Sequence, residues 1–239
     1  MRVARTASTQ DVVLRAAREG ADEGFCCLAG EQTAGRGRQG REWMAPSGTA
    51  LLASVLLRRS PAVATGIPFA AGLALVDVLA ADHRVSAGLK WPNDVLVGGR
   101  KLAGILTEVA ASARDGDSLA VALGLGVNLR VERFPDGIEA VSMHTLVAKP
   151  PTAEALLAAW GVALAVRLAL LERGGIGAIL DDWRRCAVGL GAPVSVHGPA
   201  GIVDGLAVDV DQDGALLVEG SGQVHRFLAG DVHLGAGPA

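Results

Sequence analysis

A nine-residue stretch rich in glycine and arginine, residues 35–43, constrains the fold of this chain more than any other. It holds three glycines, three arginines and, at its end, Trp43. Glycines let a backbone approach a ligand closely, and arginines carry planar sets of donors that suit phosphate and carboxylate oxygens. A tryptophan adds a flat apolar face on which another ring can stack. The stretch predicts a loop that closes over an anionic ligand with a ring, such as a nucleotide.

The glycine spacing of this loop also matches a dinucleotide-binding fingerprint, but its surroundings do not. The fingerprint needs a strand before it, a helix after it and an acidic residue about 20 positions further on. Residues 42–48 instead include a proline and a glycine, a strand-like run follows at 50–57, and two arginines stand where the acid belongs. No Gly-Lys-Ser/Thr sequence follows either, which argues against a P-loop. A solvated basic loop for nucleic acid is the alternative.

Composition indicates that the positive charge of the loop is local. The 239 residues carry a formal net charge of −3, half of them are hydrophobic, and the sequence pI is about 5.9. General nucleic-acid binding is typical of domains with a pI above about 9. The length suits one large domain, or one with a small appendage, around a real core. We therefore expect the loop to serve a bound ligand.

Cysteine usage and the apolar runs predict a cytoplasmic protein without a membrane span. The three cysteines are odd in number and form no Cys-x-x-Cys pair, which fits a reduced compartment. The five histidines are scattered and show no metal-site spacing. The first residues lead into a polar segment rather than the apolar core of a signal peptide. The most apolar run, residues 155–171, is shorter than a span and contains Arg167, so we predict a buried core helix.

Capping and periodicity predict the elements of the first 190 residues. Ser8 is the expected N-cap of a helix that begins with a capping box and ends near Gly20. The alternative is that the hydroxyl of Ser8 or Thr9 faces a ligand. Gly124 and Gly126 alternate within one strand, which predicts a ligand lying on that strand. Strands are predicted at residues 25–29, 50–57 and 118–129, and helices at 65–81, 152–172 and 176–188.

A second informative block spans the predicted strands on either side of two glycines at residues 98–99. This pair predicts a two-residue hairpin. We expect the hairpin to bring residues 93–94 near residues 107–108 and to place Lys101 close to the turn. Gly104 inside the second strand predicts that another group approaches the backbone there. The alternatives are an ordinary turn at 93–94 and an ordinary surface lysine.

Beyond residue 190 the pattern changes to short strands joined by Gly/Asp turns. They predict a small all-β barrel and a division into domains 1–190 and 191–239. Residues 209–214 resemble the start of a calcium loop, but its twelfth position is Gly220 instead of glutamate and strands flank it. We predict a hairpin turn there. The predicted short strands are residues 194–196, 201–210, 215–218 and 224–228.

The chain thus offers cations on a loop, an interior lysine, an Asn-Asp pair and a glycine-lined strand. Its sequence offers no Ser-His-Asp set, no catalytic-cysteine surroundings and no metal cluster. Such a site does not need a covalent nucleophile. It is suited to binding anionic groups and aligning them for reaction, which is what nucleotidyl and phosphoryl transfer require.

Three sequence blocks resemble the signatures of biotin protein ligases. They are Gly-Arg-Gly-Arg-Gln-Gly-Arg at 35–41, Lys-Trp-Pro-Asn-Asp at 90–94 and Lys-Leu-Ala-Gly-Ile-Leu at 101–106, in the order of the family. The C-terminal barrel also ends in matching residues, 230–232, so the resemblance covers nearly the whole chain. It implies an α+β fold with a central mixed or antiparallel sheet and flanking helices, of the class II synthetase-like type. A small C-terminal SH3-like β-barrel completes the implied fold.

The resemblance implies an ATP-dependent ligase that works in two steps. The carboxylate of biotin attacks the α-phosphate of ATP and gives biotinyl-5′-AMP and pyrophosphate. A lysine amine of a biotin carboxyl carrier domain then displaces AMP. Magnesium is implied on the phosphates, without a metal site built by the protein. Cations suit the first step because it joins two anions, and loop closure suits the second because the mixed anhydride must be kept from water.

The family pattern also implies roles for individual residues. Gln10 stands where the family usually has asparagine after Ser-Thr. The implied catalytic residues are Lys101, Arg38 and Asp94, the last to orient or deprotonate the incoming amine. The implied biotin-binding residues are Ser8, Thr9, Gln10, Gln32, Arg36, Gly37, Arg38, Lys101 and Gly104. The implied nucleotide-binding residues are Arg36, Arg38, Arg41, Trp43, Asn93, Lys101 and Asn128.

The same resemblance implies the partners of the chain. Family members that double as repressors carry an N-terminal helix-turn-helix, and only seven residues precede Ser8 here. We therefore expect a ligase that binds a carrier domain and no DNA, as a monomer or weak homodimer. The alternatives are a lipoate or octanoyl protein ligase of the same fold, and a non-catalytic protein that binds biotin or nucleic acid.

Overall fold

The computed structural model describes residues 1–115, 118–198 and 201–235, which form two sheets and five helices. The prediction omits three short strands, Arg2–Thr6, Gly88–Lys90 and Asp231–Leu234, which are only three to five residues long. The elements are β1 (Arg2–Thr6), α1 (Thr9–Arg18), β2 (Cys26–Gln32), β3 (Ala50–Arg59), α2 (Pro61–Ala64), α3 (Ile67–His83), β4 (Gly88–Lys90), β5 (Asp94–Val97), β6 (Arg100–Asp115), β7 (Ser118–Asn128), α4 (Ala153–Gly174), α5 (Gly177–Cys186), β8 (Pro193–Gly198), β9 (Gly201–Val210), β10 (Leu216–Gly220), β11 (Gln223–Phe227) and β12 (Asp231–Leu234).

The larger sheet has seven strands in the order β1-β2-β3-β7-β6-β5-β4. β1 and β2 are parallel, and the other neighbouring pairs are antiparallel, so the predicted mixed sheet with flanking helices is confirmed. β3 and β7 lie at its centre and pair over ten residues each. Their near-continuous apolar sequences follow from this central position, because most of their side chains are buried on both faces of the sheet.

Side chains alternate between the two faces of this sheet along each strand, and the helices cover the two faces differently. On one face Leu51 and Leu123 pack in the main core with α3 and α4. On the other face α1 covers only part of the sheet, through a smaller cluster that includes Val13 and Leu56. The rest of that second face is lined by glycines of β6 and β7. It forms the floor of an open cavity.

The long apolar run forms helix α4, which packs on α3 and β3 as a core helix. By length and composition alone, this helix is also long and apolar enough to cross a membrane. Its buried residues recur every three or four positions, and Trp160 donates a hydrogen bond from Nε1 to Ala71 O at 3.0 Å. At the start of the helix Thr152 accepts from Ala155 N, as an N-cap does.

Helix α1 begins as predicted, but its acidic residue has another partner. Ser8 is the N-cap, and its hydroxyl accepts from Gln10 N. Asp11 in the first turn contacts Arg36 of the glycine-rich loop. The capping-box pattern therefore predicts the helix start correctly, while the carboxylate serves a tertiary contact.

The hairpin forms at the predicted glycines, but its predicted register is wrong. Both glycines of residues 98–99 have positive φ, as a two-residue hairpin turn requires. Asp94 lies opposite Gly104, and Ile105 N donates to Asn93 O at 2.9 Å, so residues 107–108 lie three positions beyond. The two-residue turn and one bulge next to Val95 set this register.

The C-terminal strands form an open sheet rather than the expected closed barrel. Its five antiparallel strands have the order β11-β10-β9-β8-β12, and within residues 201–235 no pairing joins β11 to β12. The apolar face is instead covered by the larger domain. Gly214 packs against Phe69 and Ile176, and its carbonyl accepts from Trp91 Nε1 at 2.9 Å. The sheet thus shares the main core and does not need closure to bury its face.

The aspartate series of residues 209–213 forms the predicted hairpin turn between β9 and β10. Asp211 Oδ1 accepts from Ala215 N at 3.0 Å, and its Oδ2 accepts from Arg226 Nε at 2.6 Å. Asp209 accepts from Arg184. These carboxylates are used within the fold, and no cluster of three metal-ligating side chains occurs in the part of the chain that the structure describes.

Candidate active site

A cavity of about 610 Å³ lies on the uncovered face of the larger sheet, beneath the glycine-rich loop. It is large enough for a small organic ligand. It collects most of the residues that the sequence predicts for the site. These are Ser8, Thr9, Gln10, Gln32, Arg36, Gly37, Arg38, Arg41, Trp43, Asn93, Asp94, Lys101 and Gly104.

Asn128 is the one predicted site residue that does not line this cavity. It is 5% exposed and lies at the end of β7. Its Nδ2 donates to Lys101 O at 3.3 Å and to Val141 O at 3.2 Å. The amide therefore supports the backbone that carries Lys101, and a nucleotide contact of Asn128 stays a prediction.

The predicted set omits several residues that line this cavity, among them Lys90, Ser54, His233 and Leu234. Lys90 opens the second sequence block, so its position next to that motif was an available signal. Ser54 is the only polar residue in the apolar core of β3, which is a weaker signal. His233 and Leu234 come from β12 of the C-terminal sheet. Nothing local in the sequence indicates that β12 reaches this cavity, because only tertiary packing brings it there.

Trp43 lies on the glycine strip that forms the floor of the cavity. A Cβ at Gly126 would come within 2.7 Å of the indole, and one at Gly104 within 2.9 Å. Lys101 Nζ lies 5.6 Å from the ring centroid on the same side of the sheet. Gly104 and Gly126 therefore admit the indole of the protein's own loop, which explains the close approach that the sequence predicts at Gly104. Gly124 faces Gln10 instead, and a ligand lying on β7 stays a prediction.

The cations of the cavity fall into two groups according to their partners. Arg36, Arg41 and Lys101 are each paired with a carboxylate of the protein. Arg38 and Lys90 form no ion pair with any described residue, and burial lowers the pKa of both. A desolvated cation without a counter-ion favours an incoming anion. Arg38 and Lys90 are thus the groups best prepared to bind phosphate or carboxylate.

Lys101 and Asp94 form an ion pair at the centre of the cavity. Lys101 Nζ lies 2.6 Å from Asp94 Oδ1, although the approach does not meet the geometry of a hydrogen bond. The hairpin places them together because Asp94 begins β5 and Lys101 follows the turn on β6. Asn93 Nδ2 donates to Ile105 O at 2.6 Å and fixes the end of the hairpin next to this pair.

A polar corner at the start of α1 forms the other end of the cavity. Thr9 N and Oγ1 both donate to Gln32 Oε1, at 2.7 and 2.9 Å, and Thr9 Oγ1 lies 2.7 Å from Ser54 Oγ. Gln10 Nε2 donates to Leu106 O at 3.2 Å. Thr9, Gln10 and Ser54 are almost fully buried. Such a corner can recognise a small polar group by hydrogen bonds in a dry environment.

Buried polar atoms without a hydrogen bond concentrate at this cavity. Of five such side-chain atoms in the described part of the chain, four belong to cavity residues: Gln10 Oε1, Arg36 Nε, Trp43 Nε1 and Asp94 Oδ1. Two of the five atoms lie in ion pairs, Asp94 Oδ1 with Lys101 and the fifth atom, Arg59 Nε, with Glu172. An unpartnered buried group costs about 1–3 kcal/mol. Their concentration indicates that a polar ligand completes the site.

The fold and the cavity are those of a protein suited to bind an anionic ligand on a sheet face beneath a cationic loop. Comparison with known proteins makes this class specific. The model of the Biotin/lipoate A/B protein ligase family matches residues 3–128, and the Biotin protein ligase C terminal domain matches residues 189–235. The chain belongs to the Biotin/lipoate A/B protein ligase family.

Among the relatives that match nearly the whole chain, two are of similar length to it. The biotin–[acetyl-CoA-carboxylase] ligase of Mycobacterium tuberculosis is 37% identical over 96% of this chain and 86% of its own length. The enzyme of the same name from Paracoccus denitrificans is 35% identical over 98% of this chain and 99% of its own. The chain spans 66% of the bifunctional ligase/repressor BirA of Escherichia coli, at 31% identity.

A solved structure shows the same fold. The biotin protein ligase from Aquifex aeolicus in complex with biotin and ATP superposes with a TM-score of 0.82. The superposition covers 98% of this chain and 97% of that chain, at 24% sequence identity. The match includes both the seven-stranded sheet and the open C-terminal sheet, because nearly all of each chain is covered.

Proposed function

We propose that this chain is an ATP-dependent biotin–protein ligase that transfers biotin to a lysine of a biotin carboxyl carrier domain. The observation that carries the proposal is the cavity itself, in a chain of this family. A loop of arginines lies over a sheet face where Arg38, Lys90 and the Lys101–Asp94 pair meet a buried polar corner. The two relatives of nearly equal length are both named biotin–[acetyl-CoA-carboxylase] ligases, which favours biotin over lipoate.

We assign the polar corner to the ureido ring of biotin. This ring presents two N–H donors and one carbonyl acceptor. Gln10 Oε1 is a buried acceptor without a partner and can receive a ureido N–H. The hydroxyls of Ser8, Thr9 and Ser54 can donate to the carbonyl or exchange partners among themselves. Lipoate carries no ureido ring, so this corner supports biotin as the substrate.

In the first step the two substrates are both anions, and the cavity's cations reduce their repulsion. A carboxylate oxygen of biotin forms a bond to the α-phosphorus of ATP while the bond from that phosphorus to the bridging oxygen breaks, and pyrophosphate leaves. Arg38 and Lys90, which pair with no carboxylate in the described ranges, neutralise the added charge. Lys101 stands near the reacting carboxylate and exchanges Asp94 for substrate oxygens. Fixed cations in a desolvated site act most strongly where charge develops.

Magnesium fits this site as an ion that arrives on the triphosphate. Mg²⁺ prefers oxygen ligands and is commonly held by one or two carboxylates together with phosphate oxygens. Asp94 and Glu139 are cavity carboxylates that meet this need. The ion supplies charge neutralisation on the phosphates when bound. The chain's own residues align the nucleotide and exclude water.

In the second step a carrier lysine amine attacks the acyl carbon of the adenylate. The bond to the adenylate oxygen breaks, AMP leaves and the amine loses a proton. Asp94 is the cavity carboxylate next to Lys101, so we propose that it orients the amine and accepts this proton. His233 and Leu234 form the adjacent wall, so the C-terminal sheet helps to enclose the intermediate.

We also propose the organisation in which this activity operates. The catalytic domain comprises residues 1–190 and the C-terminal domain residues 191–239, supported by the second family match and by the start of β8. We propose a cytoplasmic protein that is a monomer or weak homodimer and does not bind DNA. Analytical ultracentrifugation tests the assembly.

The proposal is tested with purified protein, biotin, Mg-ATP and a carrier domain. We expect label on the carrier in a streptavidin blot, and pyrophosphate exchange that requires biotin. Parallel reactions contain lipoate or octanoate in place of biotin. Exchange with lipoate alone would replace biotin by lipoate in the proposal. Tight biotin binding without any exchange would identify a binding protein instead.

A further inference from the structure

The loop of residues 35–43 is held at its start by one arginine that bridges two carboxylates. Arg36 Nη1 donates to Asp11 Oδ1 at 2.7 Å, and Nη2 donates to Glu108 Oε2 at 3.1 Å. Asp11 lies in the first turn of α1, and Glu108 lies on β6. The guanidinium therefore ties the loop to a helix and to the sheet at the same time.

Arg36 is committed to these carboxylates. Both terminal nitrogens donate to them, and the remaining Nε is buried without a partner. Burial lowers the pKa of Arg36, but the two hydrogen-bonded carboxylates outweigh burial and raise the pKa overall. A substrate anion would have to displace both partners. Arg38, two residues further on, has no such partner among the described residues and is available to a substrate anion.

The backbone of the loop transmits the position of Arg36 to the cavity. Gly37 N donates to Arg41 O at 2.7 Å, and Trp43 N donates to Gly35 O at 2.9 Å, so the loop is a small closed hairpin. A second ion pair joins Arg41 to Asp231 of β12. Because the hairpin is closed at its base, moving Arg36 moves both Arg38 and the indole of Trp43.

The geometry points to Asp11 and Glu108 as positioning residues that, through Arg36, hold the glycine-rich loop closed over the cavity. This inference rests on the proposed function. A closed loop shelters the adenylate from water until the carrier lysine arrives. We call Asp11 and Glu108 the anchors of the loop. Weakening their hydrogen bonds to Arg36 increases the fraction of molecules in which the loop is open, so adenylate is lost to hydrolysis and ATP is consumed without biotin transfer.

The test measures the ratio of pyrophosphate released to biotin transferred in the double variant Asp11→Asn/Glu108→Gln. We expect this ratio to rise about tenfold, the effect of weakening charge-assisted hydrogen bonds, while KM for biotin changes less than the ratio. Limited proteolysis reports cleavage within residues 35–43 in the same variant. Asp11→Glu keeps the charge and should retain a ratio within about twofold of wild type.

The matched control alters a second arginine that also bridges two carboxylates, away from the cavity. Arg59 contacts Glu23 and lies 2.7 Å from Glu172, and Glu23→Gln/Glu172→Gln removes the same two charges. We expect an unchanged ratio in this control. Should the anchor double variant fail to fold, Asp11→Asn and Glu108→Gln singly carry the test, each with a rise of about threefold.

The outcomes separate this inference from the proposed function. A wild-type protein that releases no pyrophosphate with biotin contradicts the function. An active wild type whose anchor variants fold and keep the wild-type ratio overturns the inference alone. An equal rise in the Arg59 control also overturns it, because the effect would then follow from net charge.

Discussion

Gly126→Ala tests whether the cavity depends on how Trp43 lies on the sheet. A Cβ at residue 126 would meet Trp43 Cε2 at 2.7 Å and Cζ2 at 2.8 Å. Carbon atoms pack at about 3.5–4.0 Å, so the indole must move away by roughly 1 Å. The strand cannot yield instead, because its neighbours Leu125 and Val127 are buried in the main core. The loop therefore moves, and the cations that it carries move with it.

The expected result is a loss of rate without a loss of fold. Alanine in place of a strand glycine restrains the unfolded chain by about 0.5–1 kcal/mol, which offsets part of the strain at the flexible loop. A displacement of roughly 1 Å at a reacting site can cost on the order of a hundredfold in rate. We expect kcat/KM for biotin-dependent pyrophosphate release to fall between about tenfold and a hundredfold, with the urea midpoint nearly unchanged.

The control for this prediction is Gly161→Ala on α4. A Cβ there meets nothing within 4 Å, so only the backbone effect operates. It should stabilise the protein by about 0.5–1 kcal/mol and leave kcat/KM unchanged. Crystallography of Gly126→Ala would show the indole displaced. A folded variant with kcat/KM within about twofold of wild type would refute the reasoning that the ring position controls the site.

Three further predictions concern charge and burial. Lys90→Met should raise KM for ATP roughly tenfold. Because burial lowers the pKa of Lys90, its ammonium deprotonates earlier than an ordinary lysine as pH rises, so KM for ATP should rise in alkaline solution and Lys90→Arg should flatten that rise in a pH profile of pyrophosphate release. Arg167→Met should lower the free energy of unfolding in urea by roughly 1–3 kcal/mol, because Arg167 Nε and Nη2 donate to Asp77 at 2.7 and 2.8 Å. Burial raises the pKa of all three thiols, so iodoacetamide should label them slowly at neutral pH and fully in denaturant, as read by mass spectrometry.

The elements with a strong sequence pattern are predictable, and the geometry between them is less so. The long apolar runs of β3, α3, β7 and α4 predict their type and position to within a few residues. β1 was missed because its five residues include two exposed arginines and little alternation. The hairpin register was wrong because the two-residue turn pairs Val97 with Arg100 and, with one bulge next to Val95, Asp94 with Gly104, which is three positions short of residue 107. Barrel closure was wrong because the larger domain covers the apolar face.

The residues of the candidate site likewise fall into those that the sequence predicts and those that only the tertiary structure reveals. The motifs identify the loop and the Lys101–Asp94 pair because these residues lie close together in the chain. Ser54 and the β12 residues reach the cavity only through sheet pairing and domain packing. The sequence predicts cations for the ligand but cannot say which are already paired. That distinction needs the carboxylates of α1, β6 and β12, which lie far from the loop in sequence.

The division of the cations into paired and unpaired groups explains how a chain with five cations around one cavity can still fold. Five unpaired cations around a volume of about 610 Å³ would repel one another where solvent screens them poorly. Three of them are neutralised by the protein's own carboxylates, and two of these pairs also fix the loop, at Arg36 and at Arg41. Among the cavity's cations, Arg38 and Lys90 have no ion pair with a residue that the structure describes, so they are left for an incoming anion. The ion pairs hold the loop before any ligand binds, so substrate binding completes a nearly formed site. The entropy cost of ordering the loop is therefore incurred on folding and does not weaken substrate binding.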